Sequence, residues 1–281
     1  MAGFFGFFDY TKEGKGVRKD EPEKKRFPLF FELLFRKFWK LVQLNLLYLV
    51  TLIPVLIIYF FLSGIVSENL LAHIGQTVLE SADMAAFYFE LTLIIMALTV
   101  VFWGGGPVTA GFTYVLRNYA RQEHAWVFGD FWEHTKSNFK QSIVVFVVDI
   151  AAFFLIYTSI FFYFSQGGMY TILAYLVCVF AFVYAAAHFY LYPMMVTFQL
   201  PLRSLYKNSF LFAVGRLPQN LLIAAIILAV FGVGISVSPP LLALLMALLF
   251  FSVFGFLTTY SIYPTLQKYM IINHDAKNKV E

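Results

Sequence analysis

Three long stretches of the chain carry no Lys or Arg: Leu41 to Leu116, Gln141 to Leu202 and Leu217 to Gln267. They run for 76, 62 and 51 residues and are dominated by Leu, Ile, Val, Phe and Ala. A helix crossing a bilayer needs about 20 predominantly apolar residues. Each stretch therefore holds one helix out, a turn, and one helix back. The pattern predicts an all-α integral membrane protein with six spans, at about 40–63, 86–107, 142–165, 170–195, 219–237 and 240–263. The turns at Ser165-Gln166-Gly167-Gly168 and Ser236-Val237-Ser238-Pro239-Pro240 are too short to fold into anything. The segment 64–85 is longer and acidic, with Glu68, Glu80 and Asp83 and no basic residue. In it Leu70, Leu71, Ile74, Val78 and Leu79 recur at helical spacing, which predicts a short helix on the membrane or against the bundle. Its acidic surface is either a solvated connector or a docking surface for an extracellular partner.

The basic residues give the predicted bundle a direction. All 20 Lys and Arg lie outside the apolar stretches: ten in 1–40, four in 117–140, three in 203–216 and three in 268–279. With six spans these four groups fall on one side, which the positive-inside rule makes cytoplasmic. Both termini are then cytosolic, and the chain is a multi-pass protein of the plasma membrane. It divides into a basic N-terminal segment with an interfacial helix (1–39), a transmembrane domain (40–263) and a cytoplasmic tail (264–281). The aromatic tract Gly3–Tyr10 either inserts in lipid or docks on a partner.

A threefold pattern is visible. An aromatic and basic segment precedes each apolar stretch: Phe30–Lys40, Phe128–Lys140 and Arg203–Phe210. In the first, Glu32, Arg36 and Lys40 form a polar ridge at i, i+4 and i+8, while Phe31, Leu34, Phe35 and Phe38 cover another face. A helix lying in the membrane interface has this pattern. In the second, Asp130 and Glu133 have capping-box spacing. Phe31, Arg36, Lys37, Trp39, Phe131, Trp132 and Lys136 are the candidate interfacial residues. Pro107, Pro193 and Pro264 fall near the basic ends of the even helices, where proline breaks or kinks a helix. The chain thus reads as three units, each an interfacial elbow helix followed by a helical hairpin.

Composition removes other classes. Hydrophobic residues make up 60% of the chain and charged residues 13%, with 35 Phe, 17 Tyr, 4 Trp and a mean hydropathy of +0.76. One soluble core cannot hide that much apolar surface. Charge persists to Lys40 before the first long apolar run, so that run is a span and not a cleaved leader. The one cysteine, Cys178, makes no internal disulfide or thiolate cluster and suits a buried small apolar role.

Catalytic constellations are missing from the sequence. The Gly14-Lys15-Gly16 tract lacks the upstream glycine of a phosphate loop, no H-E-x-x-H or G-x-S-x-G occurs, and the five His are scattered. No cofactor, metal or nucleic acid is implied. Ionisable groups inside spans are the remaining candidates. Asp149 and His188 fall at similar depth on antiparallel neighbours, which places them face to face or in a shared polar pocket. They either fix helix packing or form a proton or substrate relay. Glu90 falls nearer the outer end of its span. Gly104, Gly105, Gly106 and Pro107 weaken the second helix. They mark either a broken helix whose free backbone lines a site or a kink that lets another backbone come close.

Several blocks resemble YesL-type membrane proteins. They are Gly3-Phe4-Phe5-Gly6, Gly14-Lys15-Gly16-Val17, Phe31-Glu32, Arg36–Leu41 and Asn45-Leu46-Leu47-Tyr48; then Gly106-Pro107, Tyr114–Arg117, Asp130-Phe131-Trp132 and Asn138–Ser142; and finally Tyr192-Pro193 with Lys207-Asn208. The resemblance covers most of residues 1–220. It implies a family of Firmicutes membrane proteins without an established activity, encoded beside carbohydrate ABC importers, solute-binding proteins and two-component sensors. It suggests a non-enzymatic accessory subunit of an oligosaccharide ABC importer. The implied partners are its permeases, its nucleotide-binding subunit, its solute-binding protein and membrane lipid. A stand-alone secondary transporter or channel using Asp149 and His188, and a module relaying binding-protein status to a sensor kinase, stay open.

Overall fold

The computed structural model describes residues 25–74 and 81–272, with no side-chain account of 73, 74, 81–83 and 272. Gly3–Tyr10, Glu80, the side chain of Asp83 and the last residues of the tail lie outside this description. Among the described residues the chain is helical throughout, with no strand. The order is α1 Arg26–Arg36, α2 Phe38–Ile74, α3 Ser81–Trp103, α4 Pro107–Ala120, α5 Val127–Ser137, α6 Phe139–Gln166, α7 Tyr170–Met195, α8 Leu202–Gly215, α9 Leu217–Val237, α10 Pro239–Leu245 and α11 Phe251–Leu266. Six helices among the described residues are long and apolar enough to span a bilayer: Phe38–Ala72, Met84–Trp103, Phe139–Gln166, Tyr170–Met195, Leu217–Val237 and Pro239–Ile271.

Three short helices, α1, α5 and α8, each run straight into a span through a single joint residue. The joints are alike. Lys37 (φ −102°, ψ 7°), Asn138 (φ −96°, ψ 6°) and Arg216 (φ −119°, ψ 30°) leave the helical region for one residue. Each donates its backbone N–H to the carbonyl four residues back, and its own carbonyl accepts from the residue four ahead. The chain changes direction without leaving a backbone group open. The second short helix starts earlier than the Asp130–Glu133 spacing predicts. The Asp130 carboxylate accepts from the Trp126 N–H at 2.9 Å, so the first turn begins at Val127.

Other boundaries also differ from the sequence reading. The first span continues to Ile74, so 64–74 is not a separate short helix. Leu70 and Leu71 carry its apolar face onward, and the exposed Glu68 turns away from the bundle. Pro107 does not kink the second span. That helix ends at Trp103, and Pro107 opens α4 at a position where a missing N–H costs nothing. The last span does not stop at 263. Pro264 sits inside α11, and helical structure continues as a wide π segment, Gln267–Ile272.

A second π segment, Met246–Phe250, joins α10 to α11 and has an identifiable cause. The buried Asn45 of α2 donates Nδ2–H to the carbonyls of Met246 (3.0 Å) and Ala247 (2.8 Å), and its Oδ1 accepts from Ser252 N–H (3.0 Å). A side-chain amide is inserted into the ladder and closes it again. The first and last spans are locked together there.

Helix α4 is the hub of the basic end. Nine of its residues are buried, and it packs on α5, α7 and α11. Two glycines allow the close approach. A Cβ on Gly111 would collide with the Phe131 carbonyl and the Thr135 hydroxyl, and one on Gly255 of α11 would meet Leu116 and Phe112. Gly111→Ala should therefore lower the thermal transition in detergent by an amount equivalent to about 1–3 kcal/mol, because a backbone carbonyl cannot move aside. Gly215→Ala, with open space around it, should leave the transition within about 0.5 kcal/mol. Equal transitions for the two variants would refute the close α4–α5 crossing.

Candidate functional site: a buried carboxylate–imidazole pair

Asp149 is the tenth residue after Phe139 at the start of α6, about 15 Å along the helix at 1.5 Å per residue. His188 lies seven residues before the end of the antiparallel α7. Their side chains meet: His188 Nε2 is 2.8 Å from Asp149 Oδ1, with both residues buried. The hydroxyl of Tyr184, one turn before His188, donates to the same Oδ1 at 2.7 Å. His188 Nδ1 faces the Tyr184 carbonyl at 3.0 Å.

These partners assign the proton. A carbonyl oxygen only accepts, so Nδ1 carries a hydrogen. Oδ1 accepts from Tyr184 and has a second lone pair, which Nε2–H fills when the shared proton sits on the ring. The contacts fit an imidazolium against a carboxylate, with zero net charge. The second carboxylate oxygen, Oδ2, is buried and has no hydrogen-bond partner. A cavity of about 110 Å3 adjoins the pair. It is bordered by His188 and Tyr192 of α7, Trp103 and Gly104 at the end of α3, and Thr258 and Thr259 of α11.

The glycine break forms one wall. Gly104 (φ 72°) and Gly106 (φ 64°) adopt left-handed backbone that favours glycine. A Cβ on Gly106 would lie 2.8 Å from Phe146 Cβ, and one on Gly105 would collide with Leu52. The packing role left open by the sequence is visible in these contacts. The break lets α2 and α6 come close, and it borders the cavity. Thr109 closes the interrupted ladder: its Oγ1 accepts from Gly105 N–H at 2.6 Å and pairs with the Tyr48 hydroxyl at 2.9 Å.

The interfacial candidates separate. Phe31, Arg36, Trp39 and Lys136 are exposed. Lys37 is half-buried with its ammonium 5.1 Å from the Tyr119 ring centre. Trp132 is half-buried, and Phe131 is fully buried beneath α4, so Phe131 is a packing residue and not a surface one. Phe27, Phe31, Phe35 and Trp39 form an exposed aromatic stripe, at 75%, 41%, 73% and 74% exposure. The opposite face of α1 is anchored on α11: Arg26 Nη2 donates to the Tyr260 carbonyl at 2.6 Å, and the Tyr260 hydroxyl donates to the Arg26 carbonyl at 2.7 Å.

Sequence reasoning missed Tyr184, although its i−4 spacing from His188 places it on the same helix face. It also missed Arg117. That guanidinium is 7% exposed and has no carboxylate within ion-pair distance among the described residues. It donates to the Val196 carbonyl (2.6 Å), to Thr197 Oγ1 (3.3 Å) and to Asn118 Oδ1, and it lies 4.3 Å from the Tyr114 ring centre. Tyr114 in turn stacks on His134 at 3.2 Å. Burial there lowers the His134 pKa, with the Arg117 charge adding to the effect.

A family model described as "Protein of unknown function, DUF624" matches residues 86–160. YesL belongs to that family. The match spans roughly a quarter of the chain and takes in the glycine break, α4, α5 and Asp149, but not His188. No curated protein and no solved structure matches the chain.

Two predictions follow from the geometry. Asp149→Ala or His188→Ala leaves a buried group without its partner, a loss of about 3–5 kcal/mol. The double variant Asp149→Leu/His188→Leu should recover part of that loss, and thermal unfolding of all three compared with the parent checks this. Additive losses would contradict a coupled pair. His134, with its pKa depressed in the folded chain, contributes stability above its ordinary value of about 6.5 that is lost as pH falls below it. A melting series from pH 7.5 to 5 should show this decline, and His134→Phe should flatten it.

Proposed function

We propose that the chain is a non-enzymatic accessory membrane subunit of an oligosaccharide ABC importer, packed beside its permeases. The observation that carries this reading is the contrast between the small cavity beside the buried pair and an uncovered aromatic rim. The larger hollows, up to about 630 Å3, lie away from the pair, as between α5, the start of α6 and residues 195–201. The cavity beside His188 holds about 110 Å3, well short of the roughly 300–1,000 Å3 of a small-molecule pocket. At the basic end the Phe27–Trp39 stripe, Trp126 and Phe128 stand exposed. Rigid aromatic side chains suit helix-to-helix contacts between subunits and the membrane interface. The resemblance to YesL-type proteins supports the importer context.

In this reading α1, α5 and α8 are interfacial elbows, each leading a helical hairpin. The basic end and both termini face the cytosol at the plasma membrane, near the coupling region of the nucleotide-binding subunit. The acidic segment with Glu68, Glu80 and Asp83 faces outward near the solute-binding protein. The buried Asp149–His188 pair favours a second reading, a proton-coupled transporter in its own right. Purification in mild detergent should recover permeases and the nucleotide-binding subunit with the chain. Recovery of the chain alone, with unchanged glycan uptake in a deletion strain, would overturn the first reading.

A further inference from the structure

The unpartnered Oδ2 of Asp149 is not an isolated orphan. The hydroxyls of Tyr59 on α2, Tyr192 on α7 and Tyr206 on α8, and the indole N–H of Trp103 on α3, are also buried without a hydrogen-bond partner. The three tyrosines lie within electrostatic reach of the Asp149 charge. The Trp103 ring is 5.9 Å from that of Tyr184. One acceptor without a donor thus has open donors in its neighbourhood on Tyr59, Tyr192 and Trp103, while the Tyr206 hydroxyl lies against that of Tyr184. Trp103 and Tyr192 also line the cavity of about 110 Å3, as does His188. A buried water needs on the order of 10–15 Å3 of such space and two to four polar partners. His188, Tyr192 and Trp103 supply both the space and polar partners; Asp149, Tyr59 and Tyr206 do not line the cavity. Unpaired buried polar groups cost about 1–3 kcal/mol each, which water in this space would offset.

We propose that the region around Asp149 is a hydrated proton-exchange site, in which water entering from the cavity beside His188 and Tyr192 meets Oδ2 and reaches the proton shared by Asp149 and His188. Water is favoured over a metal cation. The imidazolium already balances the carboxylate, and the free groups around it offer hydrogens. The titratable groups within electrostatic reach of Asp149 are Tyr59 from α2, Tyr184, His188 and Tyr192 from α7 and Tyr206 from α8. Exchange moves a proton from imidazolium Nε2 to water and returns one to it, with the N–H electron pair staying on nitrogen. Loss of that proton leaves an uncompensated buried carboxylate, so the packing of α6 on α7 depends on proton occupancy. The site belongs to the chain alone, under either reading above.

Infrared spectroscopy of the purified full chain in nanodiscs tests this. The difference between parent and Asp149→Asn isolates the carboxylate band. On transfer to D2O that band and the His188 ring modes should shift within minutes. Tyr192→Phe, which leaves the pair intact, should slow the shift several-fold. A band unchanged after hours, or a shift rate unaffected by the phenylalanine variant, would overturn the proposal. So would a band that follows Na+ concentration and ignores D2O.

Discussion

Lipid offers no hydrogen bonds, so every polar group in a spanning bundle must find its partner inside the protein. An unmet backbone group costs several kcal/mol in that environment. Each irregularity in this chain is closed accordingly. Asn45 of α2 fills the gap in the last span with three hydrogen bonds. Thr109 takes the Gly105 N–H at the break between α3 and α4. Asn220 of α9 accepts from the Tyr190 hydroxyl at 2.8 Å and donates to the Ala213 carbonyl at 2.9 Å, tying α7, α8 and α9 together. Arg117 takes the Val196 carbonyl where α7 ends. The helices are apolar enough to sit anywhere in a membrane. These polar clamps fix where they sit relative to one another.

The surroundings of Asp149 stand against that background. At those clamps a polar side chain arrives where a backbone group is open. Unpartnered hydroxyls also occur on Ser63, Ser67, Tyr119, Thr135 and Ser209. At Asp149 an unpartnered carboxylate oxygen is buried in a region that also holds unpartnered groups on Tyr59, Tyr192, Tyr206 and Trp103. Two charges removed from water are expensive, and their attraction offsets this only when the remaining hydrogen bonds are made. Well-packed apolar residues would serve packing at least as well. An unfinished polar interior suits a role for the proton it holds. The same pair holds α6 against α7, which gives proton occupancy a route to the shape of the bundle.

Much of the architecture was legible because hydropathy and basic residues follow the bilayer directly. The spans at 142–165, 170–195 and 219–237 lie within about three residues of α6, α7 and α9. The Asp149–His188 contact was legible too, since two antiparallel neighbours set their depth. Helix α4 was not. Its half-polar sequence looks like a span tail, and only the Gly106-Pro107 start signal marks a new helix. Its burial depends on Gly111 and Gly255, whose value lies in what each approaches, the Phe131 carbonyl for Gly111 and the Leu116 and Phe112 side chains for Gly255. The continuation of α2 to Ile74 was hidden because the acidic stretch from 64 suggested a span end and a separate short helix, although the exposed Glu68 leaves the helix intact. The hydroxyls of Tyr59, Tyr192 and Tyr206 come from three helices, and no spacing along the chain links them.

The central claim is that Asp149 and His188 form a charged pair within the bundle. Nitrogen-15 NMR of the histidine side chains in bilayers, with His188→Gln for assignment, measures this directly. At neutral pH both His188 ring nitrogens should carry hydrogen, and Asp149→Asn should convert the ring to a neutral tautomer. A parent His188 with one bare nitrogen would contradict the account.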